Sequence, residues 1–147
     1  MRDPIEYVTG LAEYGRLARD RTFLDFVGMY DDAGAHDGGA VSFSTSDPDD
    51  AALAAHWIRR LSGSRVSYVL DFEPGQDVIE MVRFWADRLD VDHERLRLRR
   101  VRFPELRSLA GPAEMGAVTV RSTDPILLIR LQAWMDKTRA NLVRAGW

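Results

Sequence analysis

The sequence contains one internal repeat, and this repeat constrains the fold more than any other feature. The segment Gly39-Ala-Val-Ser-Phe-Ser-Thr-Ser-Asp-Pro48 matches Gly116-Ala-Val-Thr-Val-Arg-Ser-Thr-Asp-Pro125 at an offset of 77 residues, with five identities and three Ser/Thr exchanges. In both copies a strand-like stretch ends in Asp-Pro, where aspartate caps a helix and proline takes its first position. The same offset relates Trp57 to Trp134. Asp-Pro is a common helix start after any strand, but these matches together favour a duplicated strand–helix unit with an approximate internal twofold.

Apolar periodicity, helix caps and turn residues predict the other elements. Helices are expected near residues 5–20, 22–32, 48–61, 75–89 and 125–143. Strands are expected near residues 41–46, 65–72, 95–103 and 116–122, with a loop through Gly111-Pro112. No low-complexity linker interrupts the 147 residues. The chain is therefore predicted to be a single α+β domain over residues 1–147, with an antiparallel or mixed four-stranded sheet backed by helices.

Composition excludes several classes of site. The chain has no cysteine, which rules out disulfides, thiolate zinc sites and a cysteine nucleophile. Its three histidines, His36, His56 and His93, are too few for a histidine-rich metal centre. No apolar run has the length of a membrane span, and the N-terminus lacks the apolar stretch of a signal peptide. We therefore expect a cytoplasmic protein with no membrane partner.

Charge is distributed unevenly along the chain. The formal net charge of −3 by itself argues against a non-specific nucleic-acid binder. Residues 25–80, however, carry eleven acids against three arginines, whereas residues 81–147 carry thirteen bases against eight acids. All but one of the twenty bases are arginine, which is well suited to bidentate contacts with phosphate or guanine. A genome rich in G and C would supply the same bias.

Five arginines fall within eight residues of one expected strand, which suggests a positive stripe. A β-bulge at Arg99-Arg100 would place outward Arg95, Arg97, Arg102 and one of Arg99 and Arg100. It would turn inward the apolar side chains Leu96, Leu98, Val101 and Phe103. The predicted DNA-binding residues are Arg65, Arg95, Arg97, Arg99, Arg100, Arg102, Thr119 and Arg121, with Ser42 and Ser44 beside them. Such a face fits the major groove of DNA, while the alternative is a solvated strand face whose charges discourage edge pairing.

Several motifs together resemble a known family. Phe26-Val-Gly-Met-Tyr-Asp-Asp-Ala-Gly34 lies at a helix end and is followed by a strand that ends in Ser46-Asp47-Pro48. Later come Phe84-Trp85, the arginine-rich strand and Gly116-Ala-Val-Thr-Val-Arg-Ser122. Over residues 22–143 this order is similar to LAGLIDADG homing-endonuclease-like domains of the degenerate, single-motif kind. The resemblance is to stand-alone proteins of high-GC actinobacteria and to endonuclease-like domains recruited by transcription regulators.

The resemblance implies a fold and a mode of binding. It implies a saddle-shaped antiparallel sheet, backed by helices, whose exposed face lies in the major groove of double-stranded DNA. The signature helix, residues 22–32 here, would pack on its twin, either within the chain or in a homodimer. Residues 1–21 would form an N-terminal helical extension to the core at 22–143.

The resemblance also implies that catalysis is lost. In active members an acidic residue directly before the final glycine of the signature binds a divalent metal, and that position is Ala33 here. Asp31 and Asp32 lie two and one positions earlier, and each helical residue rotates the side chain by about 100°. They would thus point elsewhere. The fallback metal ligands are Asp31, Asp32 and Asp37, and Mg²⁺ is expected only if nuclease activity uses them.

Three functions remain open from the sequence. The first is a catalytically degenerate protein that binds DNA through the arginine-rich sheet face, in a regulatory role. The second is an active metal-dependent DNA endonuclease that uses Asp31 and Asp32. The third is a protein-interaction subunit that does not bind DNA, a role that would explain the acidic half of the chain more naturally.

Overall fold

The computed structural model describes residues 4–36, 38–101, 107–108, 111–112 and 114–146. Its α-helices are α1 (Pro4–Leu17), α2 (Arg21–Ala33), α3 (Pro48–Leu61), α4 (Val78–Leu89) and α5 (Pro125–Arg144), with a 3₁₀ turn at His93–Arg95. Its strands are β1 (Val41–Thr45), β2 (Ser67–Phe72), β3 (Leu96–Arg100), β4 (Arg107–Ser108), β5 (Gly111–Pro112) and β6 (Ala117–Ser122). The predicted helices and the four sheet strands are confirmed. The short β4–β5 hairpin lies in the segment for which a loop was predicted.

Aspartate side chains begin four of the five helices. Asp20, Asp47, Asp77 and Asp124 each accept a hydrogen bond from a backbone N–H in the first turn that follows. Proline follows Asp47 and Asp124 directly, where its missing N–H costs nothing. The two Asp-Pro pairs of the repeat therefore act alike, as the sequence predicted.

The four main strands form one mixed sheet in the order β1-β6-β2-β3. β6 runs antiparallel to both of its neighbours, whereas β2 and β3 are parallel and are connected through α4. The α+β class with a mixed sheet is confirmed. The sheet is not the wholly antiparallel saddle that the family resemblance implies, because a βαβ unit forms one of its edges.

The pairing of β1 with β6 has the register of a local twofold axis. Phe43 pairs with Val120, and these two residues are equivalent in the 77-residue repeat. On the helical side, the equivalent Trp57 and Trp134 each meet the ring of Phe23 edge-on, both at 5.3 Å between ring centroids. α2 packs against both α3 and α5. The two strand–helix units thus share one core residue, Phe23, between their tryptophans.

Helix α1 belongs to the same hydrophobic core rather than standing apart as an extension. It crosses α5 at Gly10, where a Cβ would lie 3.1 Å from the Cα of Arg130. The carbonyl oxygen of Gly10 accepts a hydrogen bond from Trp134 Nε1 at 2.9 Å, and Tyr14 and Leu17 are buried. Helix α1 lies outside the segment 22–143 that the resemblance covers, and it contributes buried side chains to the hydrophobic core.

The two faces of the sheet differ sharply. The inner face, turned toward the helices, consists of buried apolar side chains: Val41, Phe43, Tyr68, Leu70, Leu96, Val118 and Val120. On the outer face the alternate residues of the same strands are exposed or half-buried, with the exception of Asp71. This open, polar face is where the sequence predicted a binding surface.

Candidate nucleic-acid interface

Three exposed arginines, Arg97, Arg99 and Arg121, lie among hydroxyl side chains on the outer face. Arg121 on β6 pairs with Ser42 on one side and with Ser67 on the other. Arg97 on β3 pairs with Val69. Strand β2 lies between β6 and β3, and the β2 partners of the two arginines, Ser67 and Val69, are two residues apart. The Cα atoms of Arg97 and Arg121 are therefore roughly 11–12 Å apart. Thr119 lies in the same face, and its hydroxyl shares a 2.6 Å hydrogen bond with that of Ser44.

The charges of Arg97 and Arg121 are not compensated locally. Both side chains are exposed, and neither has a hydrogen bond or an ion pair with any of the residues that the structure describes. Arg121 pairs with Ser67 at the beginning of β2 and Arg97 with Val69 in its middle, whereas the carboxylate of Asp71 is bound by Arg99. This half of the outer face is therefore positively charged, and it agrees with the predicted positions of Arg97, Thr119 and Arg121.

Arg99 lies in the same face but is already engaged. Its Nε and Nη2 donate to the two carboxylate oxygens of Asp71, at 2.7 and 2.8 Å. The Asp71 side chain is 13% exposed, whereas that of Arg99 is 61% exposed. The carboxylate of Asp71 neutralises the charge of Arg99. Arg99 therefore contributes less to the positive stripe than the sequence suggested.

The predicted β-bulge at Arg99-Arg100 is wrong. β2 and β3 pair without interruption from Tyr68–Leu96 to Phe72–Arg100. Leu98 keeps the inward phase of Leu96, yet it is 51% exposed because β3 is an edge strand. Consequently Arg100, as the partner of Phe72, falls in the inward phase instead of on the outer face.

Two more predicted residues lie away from the outer face, and one lies outside the described residues. Arg95 precedes β3, donates to the carbonyl oxygen of Val66 at 2.7 Å, and lies over the ring of the inward-facing Tyr68. Arg65 precedes β2 and lines the same cavity as Arg95 at the end of the sheet. Arg102 is among the residues that the structure does not describe, as are Phe103 and Asp37.

Of the fallback metal ligands, the structure describes Asp31 and Asp32. The carboxylate of Asp31 is bound by the guanidinium of Arg139, whose Nε donates to it at 2.7 Å. The hydrogen bonds from Arg139 lower the pKa of Asp31. Asp32 is exposed. Within the described part of the chain, no group of three or more histidine and carboxylate side chains is placed to hold a metal ion.

Five of the eleven acidic side chains of residues 25–80 lie at the start of a helix. Asp47, Asp49 and Asp50 occupy the cap and first turn of α3, and Asp77 and Glu80 those of α4. Negative charge at these positions interacts favourably with the helix dipole. At Asp50, burial is the main cause of a raised pKa, reinforced by the neighbouring Asp47 and Asp49. Helix starts thus account for five of the eleven acids, and ion pairs with Arg99 and Arg139 account for Asp71 and Asp31.

Comparison with protein-family models, with curated proteins and with solved structures finds no significant match to this chain. The likeness to homing endonucleases therefore rests on the sequence motifs alone. Among the described residues, no helix is both long and apolar enough to cross a membrane.

Proposed function

We propose that this protein binds double-stranded DNA through the outer face of its sheet without cleaving it, in a regulatory role. The observation that carries the proposal is the pair of exposed, uncompensated arginines, Arg97 and Arg121, on an open sheet face. Arginine at such positions binds phosphate or the guanine edge with two parallel hydrogen bonds.

The dimensions of the outer face support this proposal. Adjacent strands of the sheet lie about 4.8 Å apart, and the major groove of B-DNA, about 12 Å wide, admits a two-stranded ribbon of this kind. The hydroxyl groups of Ser42, Ser44, Ser67 and Thr119 surround the arginines, and hydroxyls commonly bind phosphate and sugar oxygens. The face therefore offers guanidinium groups for charged contacts and neighbouring hydroxyl groups for neutral polar contacts.

The proposal that the protein does not cleave DNA follows from the environment of α2. Ala33 has no side-chain oxygen, and Asp31 is held by Arg139. A metal-dependent nuclease needs carboxylates free to hold the ion that activates water and stabilises the leaving oxygen. We expect the purified protein with Mg²⁺ or Mn²⁺ to leave a supercoiled plasmid intact. Nicking that Asp32→Asn abolishes would instead favour the endonuclease alternative.

Titration of a labelled mixed-sequence duplex at several salt concentrations tests DNA binding. Fluorescence anisotropy should show affinity that falls with salt, with a log–log slope of about 0.9 per phosphate contact. If Arg97 and Arg121 each bind a phosphate, the double variant Arg97→Ala/Arg121→Ala should flatten this slope by about 1.8. The matched control is Arg19→Ala/Arg144→Ala, which removes the same charge from exposed helix-side positions.

The outcome decides between DNA binding and the protein-interaction alternative. A slope and an affinity that both stay unchanged in the Arg97/Arg121 variant, or equal losses in the variant and its control, would show that the outer face is not the binding surface. A parent protein that does not bind the duplex at all would leave the protein-interaction subunit as the better proposal.

A homodimer through helix 22–32 would have to use the exposed side of α2. The apolar residues Phe23, Phe26, Val27 and Tyr30 are buried within the chain. What remains exposed around Asp25, Gly28 and Asp32 is small or polar. Sedimentation of the parent and of Gly28→Trp tests this arrangement, since a tryptophan in a close helix–helix contact would split the dimer.

A further inference from the structure

A second basic site lies at the end of the sheet, apart from the outer face. A cavity of about 520 Å³ opens where β2 begins, beside the last turn of α3 and the loop after α4. Its lining includes three arginines from separate elements, Arg59, Arg65 and Arg95, together with Tyr68, Asp90 and Asp92. Arg59 belongs to α3, so no local sequence pattern connects it with the other two.

Two of these arginines are held in place by neutral groups. Arg59 Nη1 donates to the carbonyl oxygen of Leu89 at 2.6 Å and lies 3.4 Å from the hydroxyl of Tyr68. Arg95 Nη2 donates to the carbonyl oxygen of Val66 at 2.7 Å, and its guanidinium lies 5.6 Å from the centre of the Tyr68 ring. Each contact uses one nitrogen of a group with five N–H donors. The guanidinium groups are thereby oriented while retaining donors for a ligand.

The charges of the three arginines are left without a carboxylate partner. Among the described residues, no carboxylate oxygen comes within 4 Å of Arg59, Arg65 or Arg95 in an ion pair, although Asp90 and Asp92 line the same cavity. The Arg65 side chain is exposed and makes no hydrogen bond or ion pair with the described residues. Guanidinium groups that approach one cavity repel one another, and an anion between them removes that repulsion.

We infer that this cavity binds a phosphate group. Three planar forks that line one cavity from separate elements match an anion with several oxygens on one centre better than a single carboxylate does. The phosphate has two chemical sources, a free phosphorylated small molecule or the backbone of a nucleic acid. This inference does not depend on DNA binding by the outer face, because Arg97 and Arg121 do not line the cavity.

Calorimetric titration at constant ionic strength tests the site with three probes: pyrophosphate, adenosine triphosphate and a short mixed-sequence duplex. Arg65→Ala should weaken binding of the true phosphate source about tenfold, with no loss of thermal stability because its side chain has no described partner. The control Arg144→Ala, which removes the same charge from the end of α5, should bind like the parent. Arg95→Lys keeps the charge but loses the fork and should also weaken binding.

Each outcome has one meaning. A loss in Arg65→Ala with pyrophosphate or the nucleotide identifies a free phosphorylated ligand, and a loss with the duplex alone identifies backbone phosphate. If no probe distinguishes Arg65→Ala from Arg144→Ala, the inference is overturned. The Arg97→Ala/Arg121→Ala variant separates the two proposals, since it should retain pyrophosphate binding whether or not the outer face binds DNA.

Discussion

Substitution of Phe23 by leucine should destabilise the protein more than its volume change explains. Phe23 is fully buried in the first turn of α2 and lies between the two tryptophans of the repeat. Its ring meets Trp57 and Trp134 at 5.3 Å with interplanar angles of 71° and 76°, and meets Tyr14 at 6.2 Å. Leucine fills most of the space but provides no ring for these edge-to-face contacts.

The expected cost can be worked from the contacts that leucine removes. A change of shape within a core costs less than about 1.5 kcal/mol by itself. Each edge-to-face pair adds about 0.5–1.5 kcal/mol beyond the buried area, so two tryptophan pairs add about 1–3 kcal/mol. We therefore expect Phe23→Leu to lower the free energy of unfolding by about 2–4 kcal/mol.

Phe26→Leu is the matched control. Phe26 is equally buried on the same helix, but among the described residues its ring meets only that of Tyr30, at 6.1 Å in a tilted arrangement. Denaturant unfolding followed by tryptophan fluorescence gives both free energies, and the control should lose at least about 1 kcal/mol less. Equal losses in the two variants would refute a core built around Phe23 as the shared contact of the two units.

Three further substitutions test other parts of the fold. Gly116→Ala should destabilise strongly, because residue 116 has φ of +71°, which costs an L-residue about 1–2 kcal/mol, and a Cβ there would collide with the carbonyl oxygen of Asp71. Gly28→Ala should stabilise by about 0.5–1 kcal/mol, because the new Cβ in α2 meets nothing within 4 Å; thermal unfolding compares the two variants. Asp31→Asn should cost about 0.5–1 kcal/mol at neutral pH. Since Arg139 lowers the folded-state pKa of Asp31, that stabilisation is present above the unfolded pKa of about 3.9 and is lost as pH falls through the folded value. Denaturant unfolding at a series of pH values should therefore show parent and variant converging in acid, and a pH-independent difference would contradict the ion pair's role.

Local patterns were sufficient to locate the helices and strands. The Asp-Pro caps fixed the starts of α3 and α5 because a cap and a proline act within one turn, whatever the rest of the chain does. The sequence did not assign strand partners, and the structure pairs the two strands of the repeat, with Phe43 opposite its own equivalent, Val120. Strand direction is different. A parallel strand and an antiparallel strand have the same alternation of side chains, so β3 gave no sign that it would run parallel to β2.

The arginine positions depended on contacts that no local pattern records. The predicted bulge rested on the assumption that the apolar residues of a strand are buried. It was placed so that Val101 stays in phase with Leu98. At the edge of the sheet, however, Leu98 remains half exposed without any bulge. Arg95 and Arg97 are two residues apart, as side chains on one face of a strand would be. Arg95 precedes the strand, however, and donates a hydrogen bond to the carbonyl oxygen of Val66. Arg59 was missed because α3 brings it to the cavity only once the chain has folded.

The central position of β6 has a consequence for how the chain folds during synthesis. β1 and β2 are separated in the sheet by a strand that begins at Ala117, later in the sequence than both of them. Until that strand leaves the ribosome, β1 and β2 each present an unpaired edge next to apolar side chains, a state that favours association with other chains. Closing the sheet then requires contacts across 77 residues, such as Phe43 with Val120, and contacts so distant in sequence slow folding. A nascent chain stalled before Ala117 should therefore be protease-sensitive and chaperone-bound, and release of α5 should bring protection of β1 and β2 together in a single step.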